Sequence, residues 1–389
     1  MRCDSVPLAD ATATDVLYME RCLQLAEQAR GRTSPNPLVG CVIVAAQRII
    51  GEGFHPKAGE PHAEVFALRS VTVADRPLLS SATLYVNLEP CNHYGRTPPC
   101  TEAIIAAGIL RVVVGMIDPD PRVAGAGVER LRAAGIAVTV GVCEVACQRL
   151  NEAFVHRVRY QRPFGILKYA MTLDGKIASS AGHSTWISGE AARAMVHQLR
   201  AECDAVVVGG NTVRRDNPHL TSRHAHTPLR VVMSRHLELP LEAYLWQTEV
   251  APTLVATAAP ADHPLVPRLL ASGVEVLCLS QLTPTTVMAE LYQRGVMSVL
   301  WECGGSLAAA AIAEGMVQKV WAFIAPKIIG GSSAPGPVAD LGLEKMSEAL
   351  CLEDVTWQAV GEDILVTGYL RATTPEPISA KDDPVPPPQ

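Results

Sequence analysis

A histidine, a nearby glutamate and two widely spaced cysteines constrain the first half of this 389-residue chain most strongly. His62 and Glu64 form a His-x-Glu pair, and Cys91 and Cys100 follow in a Pro-rich stretch. One imidazole and two thiolates make a three-ligand zinc site with an open fourth position for water. In zinc deaminases the metal lowers the pKa of that water, and a glutamate that is not a ligand carries the proton to the leaving amine. The pattern predicts zinc on His62, Cys91 and Cys100, with Glu64 as the catalytic proton carrier.

The local sequence favours a helix start at both groups of ligands. Pro61 is typical of an early helical position and predicts a helix over 62–69, while Pro98-Pro99 predicts another over 100–107. A helix N-terminus favours negative charge, and therefore thiolate. Taken singly, each cysteine could be an ordinary buried residue and His62 a surface histidine. The combination of His-x-Glu with the Pro-Cys pair is what favours a metal.

The spacing of the two cysteines indicates which class of zinc deaminase this sequence resembles. The usual second half is Pro-Cys-x-x-Cys, whereas eight residues separate Cys91 from Cys100. Residues 89–100 resemble, residue for residue, the deaminase half of the bifunctional riboflavin-biosynthesis deaminase/reductase family. Residues 35–37, 59–64 and 118–125 are similar to that family too. The resemblance implies a cytidine-deaminase-like α/β/α sandwich for the N-terminal domain.

Alternating strands and helices indicate an α/β fold in this half. Apolar residues at helical spacing predict a helix over 16–30, with Asp15 as its N-cap. Strands over 39–45 and 49–54 follow, and helices and strands then alternate to the strand over 136–140, so helices should cover both faces of the sheet. We place the domain boundary near Arg162-Pro163. This gives a deaminase domain over 1–160, a second domain over 161–371 and a Pro-rich, mobile tail over 372–389.

Composition argues against several classes of function. The net charge is −6, and residues 1–160 carry equal numbers of basic and acidic side chains, which argues against a deaminase of folded RNA. No signal peptide and no membrane-spanning run is apparent, and the 11 cysteines are irregularly spaced. We therefore expect a cytoplasmic protein whose cysteines mostly act as small hydrophobes. Its partner should be a small-molecule substrate, with no nucleic acid or membrane, and we expect a homo-oligomer.

Two strand–Gly-Gly–helix steps organise the second half. Gly209-Gly210 follows a strand over 205–208, and Gly304-Gly305 follows another strand and precedes a helix over 307–314. Adjacent glycines at such a place let a phosphate approach backbone N–H groups at a helix N-terminus. The fingerprint Gly-x-Gly-x-x-Gly is absent, and close packing explains a Gly-Gly pair there equally well.

Together these segments resemble the reductase half of the same family, which has a dihydrofolate-reductase-like α/β fold and uses NADPH. The resemblance is carried by residues 168–178, 185–187, 212–220, 302–306 and 325–327. It implies that NADPH is held by Ala170, Trp186, Thr212, Asp216, Ser234, Gly304, Gly305 and Ser306. It implies that the ribosylamino-pyrimidine phosphate is held by Ser184, Arg200, Leu220, Arg223 and Glu302.

Some of these positions have simpler interpretations. Trp186 and Leu220 could be core residues, and Arg200 a solvated helix residue. Met233 stands where the family often has an aspartate, which weakens the role of Ser234. Even so, Ser234 followed by Arg235 would suit the extra phosphate of NADPH, because a hydroxyl and a guanidinium bind a phosphate monoester well.

Two further residues are candidates for substrate contact. Asn36 lies in the loop before the first strand, where its amide could bind the edge of a pyrimidine. Plain turn chemistry explains an Asn beside Pro equally well, and the family resemblance favours the substrate. Lys176, next to the Asp174-Gly175 turn, is a candidate for contact with the sugar that is reduced.

The sequence therefore predicts a bifunctional enzyme of riboflavin biosynthesis. The first half should deaminate 2,5-diamino-6-(5-phosphoribosylamino)pyrimidin-4(3H)-one to 5-amino-6-(5-phosphoribosylamino)uracil, and the second should reduce the ribosyl group to ribityl with NADPH. One alternative is a cytidine- or tRNA-adenosine-type zinc deaminase with an accessory domain. The other is a noncatalytic zinc-stabilised binding protein. Glu64 argues against the latter, because a structural zinc site does not need that carboxylate and usually closes with a fourth ligand.

Overall fold

The computed structural model describes residues 12–94, 98–224 and 226–371. The chain divides into two compact units, Met1–Val158 and Arg159–Gln389, and each is described by itself. The division falls in the last turn of a helix, close to the boundary that we place at Arg162-Pro163. The Pro-rich tail and residues 95–97 of the cysteine loop lie outside the described residues, so the mobility of the tail stays a prediction.

The described part of the first unit alternates helices and strands. Its helices are α1 (Ala13–Glu27), α2 (Ala63–Ser70), α3 (Cys100–Ala106), α4 (Ala126–Ala133), α5 (Glu144–Leu150) and α6 (Glu152–Tyr160). Its strands are β1 (Gly40–Ala45), β2 (Arg48–Phe54), β3 (Thr83–Leu88), β4 (Arg111–Met116) and β5 (Ala137–Val140).

These strands form one sheet in the order β2-β1-β3-β4-β5. Strand β1 is antiparallel to both of its neighbours, whereas β3, β4 and β5 are parallel. Alternate residues of β1 enter two different cores: Val42 packs with α1 and α5, and Ile43 packs with α2, α3 and α4. Helices thus cover both faces, and the predicted α/β/α sandwich is confirmed.

The structure corrects several helix ends. Thr12, rather than Asp15, is the N-cap of α1, and Asp15 completes a capping box from inside the helix. His62 is the N-cap of α2, in extended backbone, rather than a residue of its first turn. Residues 144–160 form the two helices α5 and α6. They part at Asn151, whose side chain accepts from the backbone N–H of Leu38 at 2.8 Å and donates to its carbonyl at 3.0 Å.

The second unit has a larger sheet. Its helices are α7 (Glu190–Glu202), α8 (Gly210–Asp216), α9 (Val266–Ala271), α10 (Pro284–Gln293) and α11 (Gly305–Ala313). Its strands are β6 (Phe164–Thr172), β7 (Ala205–Gly209), β8 (Leu229–Met233), β9 (Thr253–Thr257), β10 (Glu275–Cys278), β11 (Ser298–Trp301), β12 (Lys319–Ala325), β13 (Leu352–Val360) and β14 (Asp363–Leu370).

The order of this sheet is β10-β9-β8-β7-β11-β6-β12-β14-β13. The strands from β10 to β12 are parallel, and β14 and β13 add an antiparallel edge. The carboxyl ends of β6, β7, β8 and β11 therefore meet along one edge of the sheet. Ligands of open parallel sheets bind at that edge, so the topology fixes where a site should lie.

Cysteines contribute to the cores as expected. Cys22, Cys41, Cys147 and Cys203 are free and buried, as small hydrophobic residues would be. Cys143, which is disulfide-bonded, is also buried in this way, in the same core as Cys22 and Cys147. Within the described ranges, no helix has the length and apolar character that crossing a bilayer requires.

Candidate active sites

The three predicted metal ligands come together in the first unit. Cys91 Sγ lies 3.5 Å from His62 Nδ1, and Cys100 Sγ lies 3.3 Å from the same nitrogen. All three ligand atoms lie within 4.8 Å of one another. Zinc bound about 2.3 Å from sulfur and about 2.0 Å from nitrogen separates tetrahedral ligand atoms by roughly 3.5–3.8 Å. The chemistry and the spacing of these donors therefore both suit a zinc ion.

The two thiols differ in acidity. The hydrogen bond with Cys100 and the nearby His62 lower the pKa of Cys91. The thiolate of Cys91 and burial in turn raise the pKa of Cys100. A bound cation would favour the thiolate form of both residues.

Glu64 lies beside these ligands in the first turn of α2. Its side chain is buried, and Oε2 has no hydrogen-bond partner among the described residues. Burial raises the pKa of this carboxyl group. Burying a carboxyl oxygen without a hydrogen-bond partner costs free energy. Such an atom therefore indicates a group that interacts with a bound ligand.

Four loops meet at the end of the first sheet where His62 and Cys91 lie. They are the segments before β1, after β2, after β3 and after β4, because β1 runs opposite to β2 and β3. Asn36, before β1, donates through Nδ2 to His55 Nε2 at 3.0 Å. The tautomer of His55 decides which atom donates. His55 Nδ1 lies 3.0 Å from the Pro61 carbonyl oxygen, so Nδ1 must carry the proton and Nε2 accepts. Burial also lowers the pKa of His55, which favours the neutral ring.

The second unit contains a cavity of about 1050 Å³ at the edge where its parallel strands end. Many residues that the sequence assigns to cofactor or substrate line it. The predicted residues among its lining are Ala170, Ser184, Arg200, Thr212, Asp216, Leu220, Glu302, Gly304, Gly305 and Ser306. Ser184 also donates to Asp216 Oδ1 at 3.1 Å, so two of these residues contact each other directly.

A charged cluster lies in the wall of this cavity. Arg200 binds Glu302 through two parallel hydrogen bonds, at 2.5 and 2.9 Å. Burial opposes the charge of Glu302, but Arg200 and Lys168 outweigh it and hold its pKa below the usual range. Lys168 also lines the cavity, and burial lowers its pKa. The site therefore presents two cations around one buried carboxylate.

Both Gly-Gly steps lie where the sequence places them. Gly209 is the N-cap of α8 and Gly304 the N-cap of α11, and both line the cavity. A Cβ on Gly305 would stand 2.8 Å from the Gly336 carbonyl oxygen, so close packing explains that glycine. A Cβ on Gly304 would meet no atom of the described residues within 4 Å, so the backbone there is open to a ligand.

Four predicted reductase residues lie outside the described lining of the cavity: Trp186, Lys176, Arg223 and Ser234. Trp186 is 65% exposed, and its backbone has a φ of 64°. Lys176 Nζ donates to the Ala334 carbonyl at 3.3 Å. Arg223 is exposed. Ser234 is buried, and its Oγ would stand 3.0 Å from a Cβ on Gly210.

Sequence reasoning gave no role to two residues that the structure brings into the sites. His55 is a single histidine without a ligand-like spacing, so only its contact with Asn36 reveals it. Lys168 did carry a signal, because a lysine within an apolar parallel strand is unusual unless it has a partner or a function.

Both halves of the chain match known families. Residues 12–116 match the cytidine and deoxycytidylate deaminase zinc-binding region, and residues 163–366 match the RibD C-terminal domain. The riboflavin biosynthesis protein RibD of Synechocystis is 61% identical over 359 residues, which cover 92% of this chain and 96% of the relative. The chain belongs to the RibD family.

Solved structures agree with this family. Acinetobacter baumannii RibD has a TM-score of 0.82 at 38% identity, covering 92% of this chain and 99% of the other. The diaminohydroxyphosphoribosylaminopyrimidine deaminase/5-amino-6-(5-phosphoribosylamino)uracil reductase of Thermotoga maritima has the same TM-score, identity and coverage. The chain is therefore a bifunctional deaminase and reductase of riboflavin biosynthesis, and the fold predicted for each half is confirmed. The alternatives of a deaminase with an unrelated accessory domain and of a noncatalytic protein are set aside.

Proposed function

We propose that the first unit deaminates 2,5-diamino-6-(5-phosphoribosylamino)pyrimidin-4(3H)-one and that the second unit reduces the product with NADPH. The observation that carries the first half is the buried Oε2 of Glu64, which has no hydrogen-bond partner among the described residues and lies beside the three ligand atoms of His62, Cys91 and Cys100. A zinc ion in that site would supply a Lewis acid and an acidified water. Glu64 then has the position of a proton carrier, since it is close to the ligands and is not one of them.

Asn36 and His55 support the binding of a pyrimidine. The bond from Asn36 Nδ2 to His55 Nε2 fixes the orientation of the amide, because His55 Nδ1 is held by a backbone carbonyl. An amide whose rotation is restricted can discriminate between donor and acceptor atoms on a ring edge. We assign to Asn36 the contact with the substrate ring and to His55 the support of that amide.

The cavity of the second unit supports the reductase assignment. We place NADPH along Ala170, Thr212, Asp216 and the turn of Gly304, Gly305 and Ser306, where an open glycine begins α11. The sugar phosphate belongs near Ser184, Arg200, Leu220 and Glu302 on the other lining segments. Trp186, Ser234, Lys176 and Arg223, which lie outside the lining, keep their predicted contacts only if the surrounding loops rearrange around a ligand.

Lys168 is our candidate for the proton that the reduction requires. Converting a ribosylamine to a ribitylamine breaks the bond between C1′ and the ring oxygen, and that oxygen must gain a proton. NADPH supplies the hydride to C1′. Lys168 lines the cavity, and burial lowers its pKa, so its ammonium gives up a proton more readily than a lysine in water. Arg200, which is paired with Glu302, cannot take that role because a guanidinium stays protonated.

Product analysis tests both halves together. Purified protein supplied with zinc and the diaminopyrimidine substrate should accumulate the deaminated ribosylamino compound. Addition of NADPH should convert that compound to its ribityl form, and mass spectrometry distinguishes the two products. Reduction without prior deamination would show that the order is wrong, and no reaction on this substrate would contradict the substrate assignment.

Cofactor preference should depend on Arg235. Its backbone carbonyl accepts from Ala258 N and Thr257 Oγ1, each at 3.2 Å, and the residue lines the cavity. One charge-assisted hydrogen bond to the extra phosphate is worth about 1–2 kcal/mol. Arg235→Ala should therefore raise the KM for NADPH by roughly 5- to 30-fold, with little change for NADH. Steady-state kinetics with both cofactors measures this.

The matched control is Arg268→Ala, an exposed arginine on α9 outside the lining residues. It should leave both cofactors unaffected. Ser234 was the other sequence candidate, but it is buried against Gly210, so we expect Ser234→Ala to affect both cofactors equally. Equal effects of Arg235→Ala on NADPH and NADH would place the phosphate elsewhere in the cavity.

The remaining partner assignments follow from this chemistry. Both reactions act on a small phosphorylated heterocycle, and neither calls for nucleic acid or membrane. The homo-oligomer stays a prediction, which sedimentation velocity of the purified protein would check.

A further inference from the structure

Glu89 is a buried carboxylate that the reaction does not use. It lies directly after β3 and two residues before the proposed metal ligand Cys91, and the residue is only 6% exposed. No arginine or lysine of the described residues pairs with it in an ion pair. A carboxylate buried in this way must be compensated by hydrogen bonds.

Four backbone N–H groups supply that compensation. Oε1 accepts from Gly127 at 2.8 Å and from Val128 at 3.1 Å, and Oε2 accepts from Gly125 at 2.9 Å and from Asp118 at 3.2 Å. All four donors belong to the segment that follows β4. The sequence singled out most of this segment, residues 118–125, but neither reaction has given it a role.

The carboxylate acts as an N-cap supplied by another strand. The N-cap of α4 is Gly125, which has no side chain to cap the helix and a φ of 81°. Glu89 binds the N–H groups of Gly125 and of the second and third residues of α4, where a negative charge also interacts favourably with the helix dipole. The first turn of α4 is thereby attached to the backbone just before Cys91.

Further contacts extend this attachment to both thiols. A Cβ on Gly127 would stand 2.1 Å from the Pro90 carbonyl oxygen, so α4 packs directly on the residue before Cys91. Asn92 Nδ2 donates to the Ala126 carbonyl at 3.3 Å, and Asn92 Oδ1 accepts from Thr101 Oγ1 at 2.9 Å. Thr101, which follows Cys100, also donates its N–H to the Cys91 carbonyl at 3.3 Å.

We infer that Glu89 is a positioning residue for the zinc site: it holds α4 against residues 90–92 and so fixes the separation of Cys91 and Cys100. The inference rests on the zinc site proposed above. Outer partners that orient ligands typically change metal affinity 10- to 100-fold when they are removed. Glu89→Gln keeps the size and one acceptor oxygen but turns an NH₂ group toward two N–H donors. The segment that leads from β4 into α4 should then separate from residues 90–92, and the distance between the Cys91 and Cys100 thiols should no longer be fixed.

The experiment measures metal affinity in the full-length protein by competition with a chelator. We expect Glu89→Gln to bind zinc about 10- to 100-fold more weakly than the wild type. Cobalt(II) added to the metal-free proteins should give an altered visible spectrum for the variant, since that spectrum reports the geometry of the thiolate ligands. Reductase activity of the second unit should be unchanged.

The matched control is Glu102→Gln. Glu102 lies two residues after Cys100 and binds Arg130 of α4 at 2.8 Å, so it also joins α3 to α4, but both side chains are 38% exposed. We expect its zinc affinity to stay at the wild-type value. Equal weakening in Glu89→Gln and Glu102→Gln would overturn the inference, because any loosening of α4 would then suffice.

If Glu89 only stabilises α4 and does not position the zinc ligands, the measurements should give a different result. In that case Glu89→Gln lowers the melting temperature of the metal-free protein while zinc affinity and the cobalt spectrum stay at wild-type values, and the inference is wrong. Asn92→Ala keeps the four bonds of Glu89 and should weaken zinc binding in the same direction. If Glu89→Gln does not fold and Asn92→Ala binds zinc normally, the inference is also overturned. A wild type that binds no zinc would instead refute the zinc proposal itself.

Discussion

Replacing Glu64 with glutamine should nearly abolish deamination while the metal site and the reductase stay intact. The amide has the size of the carboxyl group but cannot accept and release a proton, and general acid–base groups contribute on the order of 10²- to 10⁴-fold to rate. Because Glu64 is not among the three ligands that lie within 4.8 Å of one another, zinc should remain bound. Rates of deamination, zinc content by metal analysis and reduction of already deaminated substrate measure the three properties.

Two further variants serve as controls for the Glu64→Gln experiment. Glu60→Gln, the same change four residues earlier at an exposed position, should leave deamination unaffected. Cys91→Ala should lose both zinc and activity, because it removes a ligand rather than the proton carrier. Wild-type turnover in Glu64→Gln would show that another group carries the proton, and full zinc in Cys91→Ala would contradict the ligand assignment.

The grouping of His62, Cys91 and Cys100 was predictable because these residues belong to short local sequence patterns. A His-x-Glu pair at a helix start and a Pro-Cys pair restrict the ligands before any folding is known, and the structure brings His62, Cys91 and Cys100 together. The α/β fold of the first half also followed from the alternation of strands and helices. The first residues of α1 and α2 could not be predicted in this way. Thr and Asp have similar N-cap propensities, so the sequence does not decide between Thr12 and Asp15.

Other parts of the sites depend on contacts between distant segments. His55 matters because the chain brings Asn36 within 3.0 Å of it, and no local pattern encodes that contact. Glu89 appears in sequence only as the residue before Pro-Cys, yet its four donors lie about 30 to 40 residues away. Trp186 illustrates the reverse case. A tryptophan that could have been core is 65% exposed, with the Arg193 guanidinium 4.4 Å from its ring centre.

Lys168→Met should reduce the reductase rate by on the order of 10²- to 10⁴-fold, the contribution of a positioned proton donor. Methionine keeps the length of the side chain and its burial but has no proton to give. Deamination should be unaffected, since the reaction occurs in the other unit. Stopped assays of ribityl product, with deaminated substrate and saturating NADPH, measure the loss separately from cofactor binding.

Lys176→Met is the matched control, because Lys176 is the lysine that the sequence favoured for contact with the sugar. Its Nζ donates to the Ala334 carbonyl at 3.3 Å, and it lies outside the described lining of the cavity. We expect a small effect on the reductase rate. A larger loss in Lys176→Met than in Lys168→Met would show that Lys168 is not the proton donor and that Lys176 contributes more to the reduction.

Lys168→Arg separates a proton donor from a counter-charge. Lys168 helps to keep the pKa of Glu302 low, so its loss could act through the Arg200–Glu302 pair instead of through the substrate. Arginine preserves the positive charge near Glu302, but its guanidinium does not release a proton at any ordinary pH. If Lys168 is the donor, Lys168→Arg should be as slow as Lys168→Met, with its KM for NADPH unchanged. Recovery of the rate in Lys168→Arg would show that the charge alone is required, and the proton must then come from another group in the cavity.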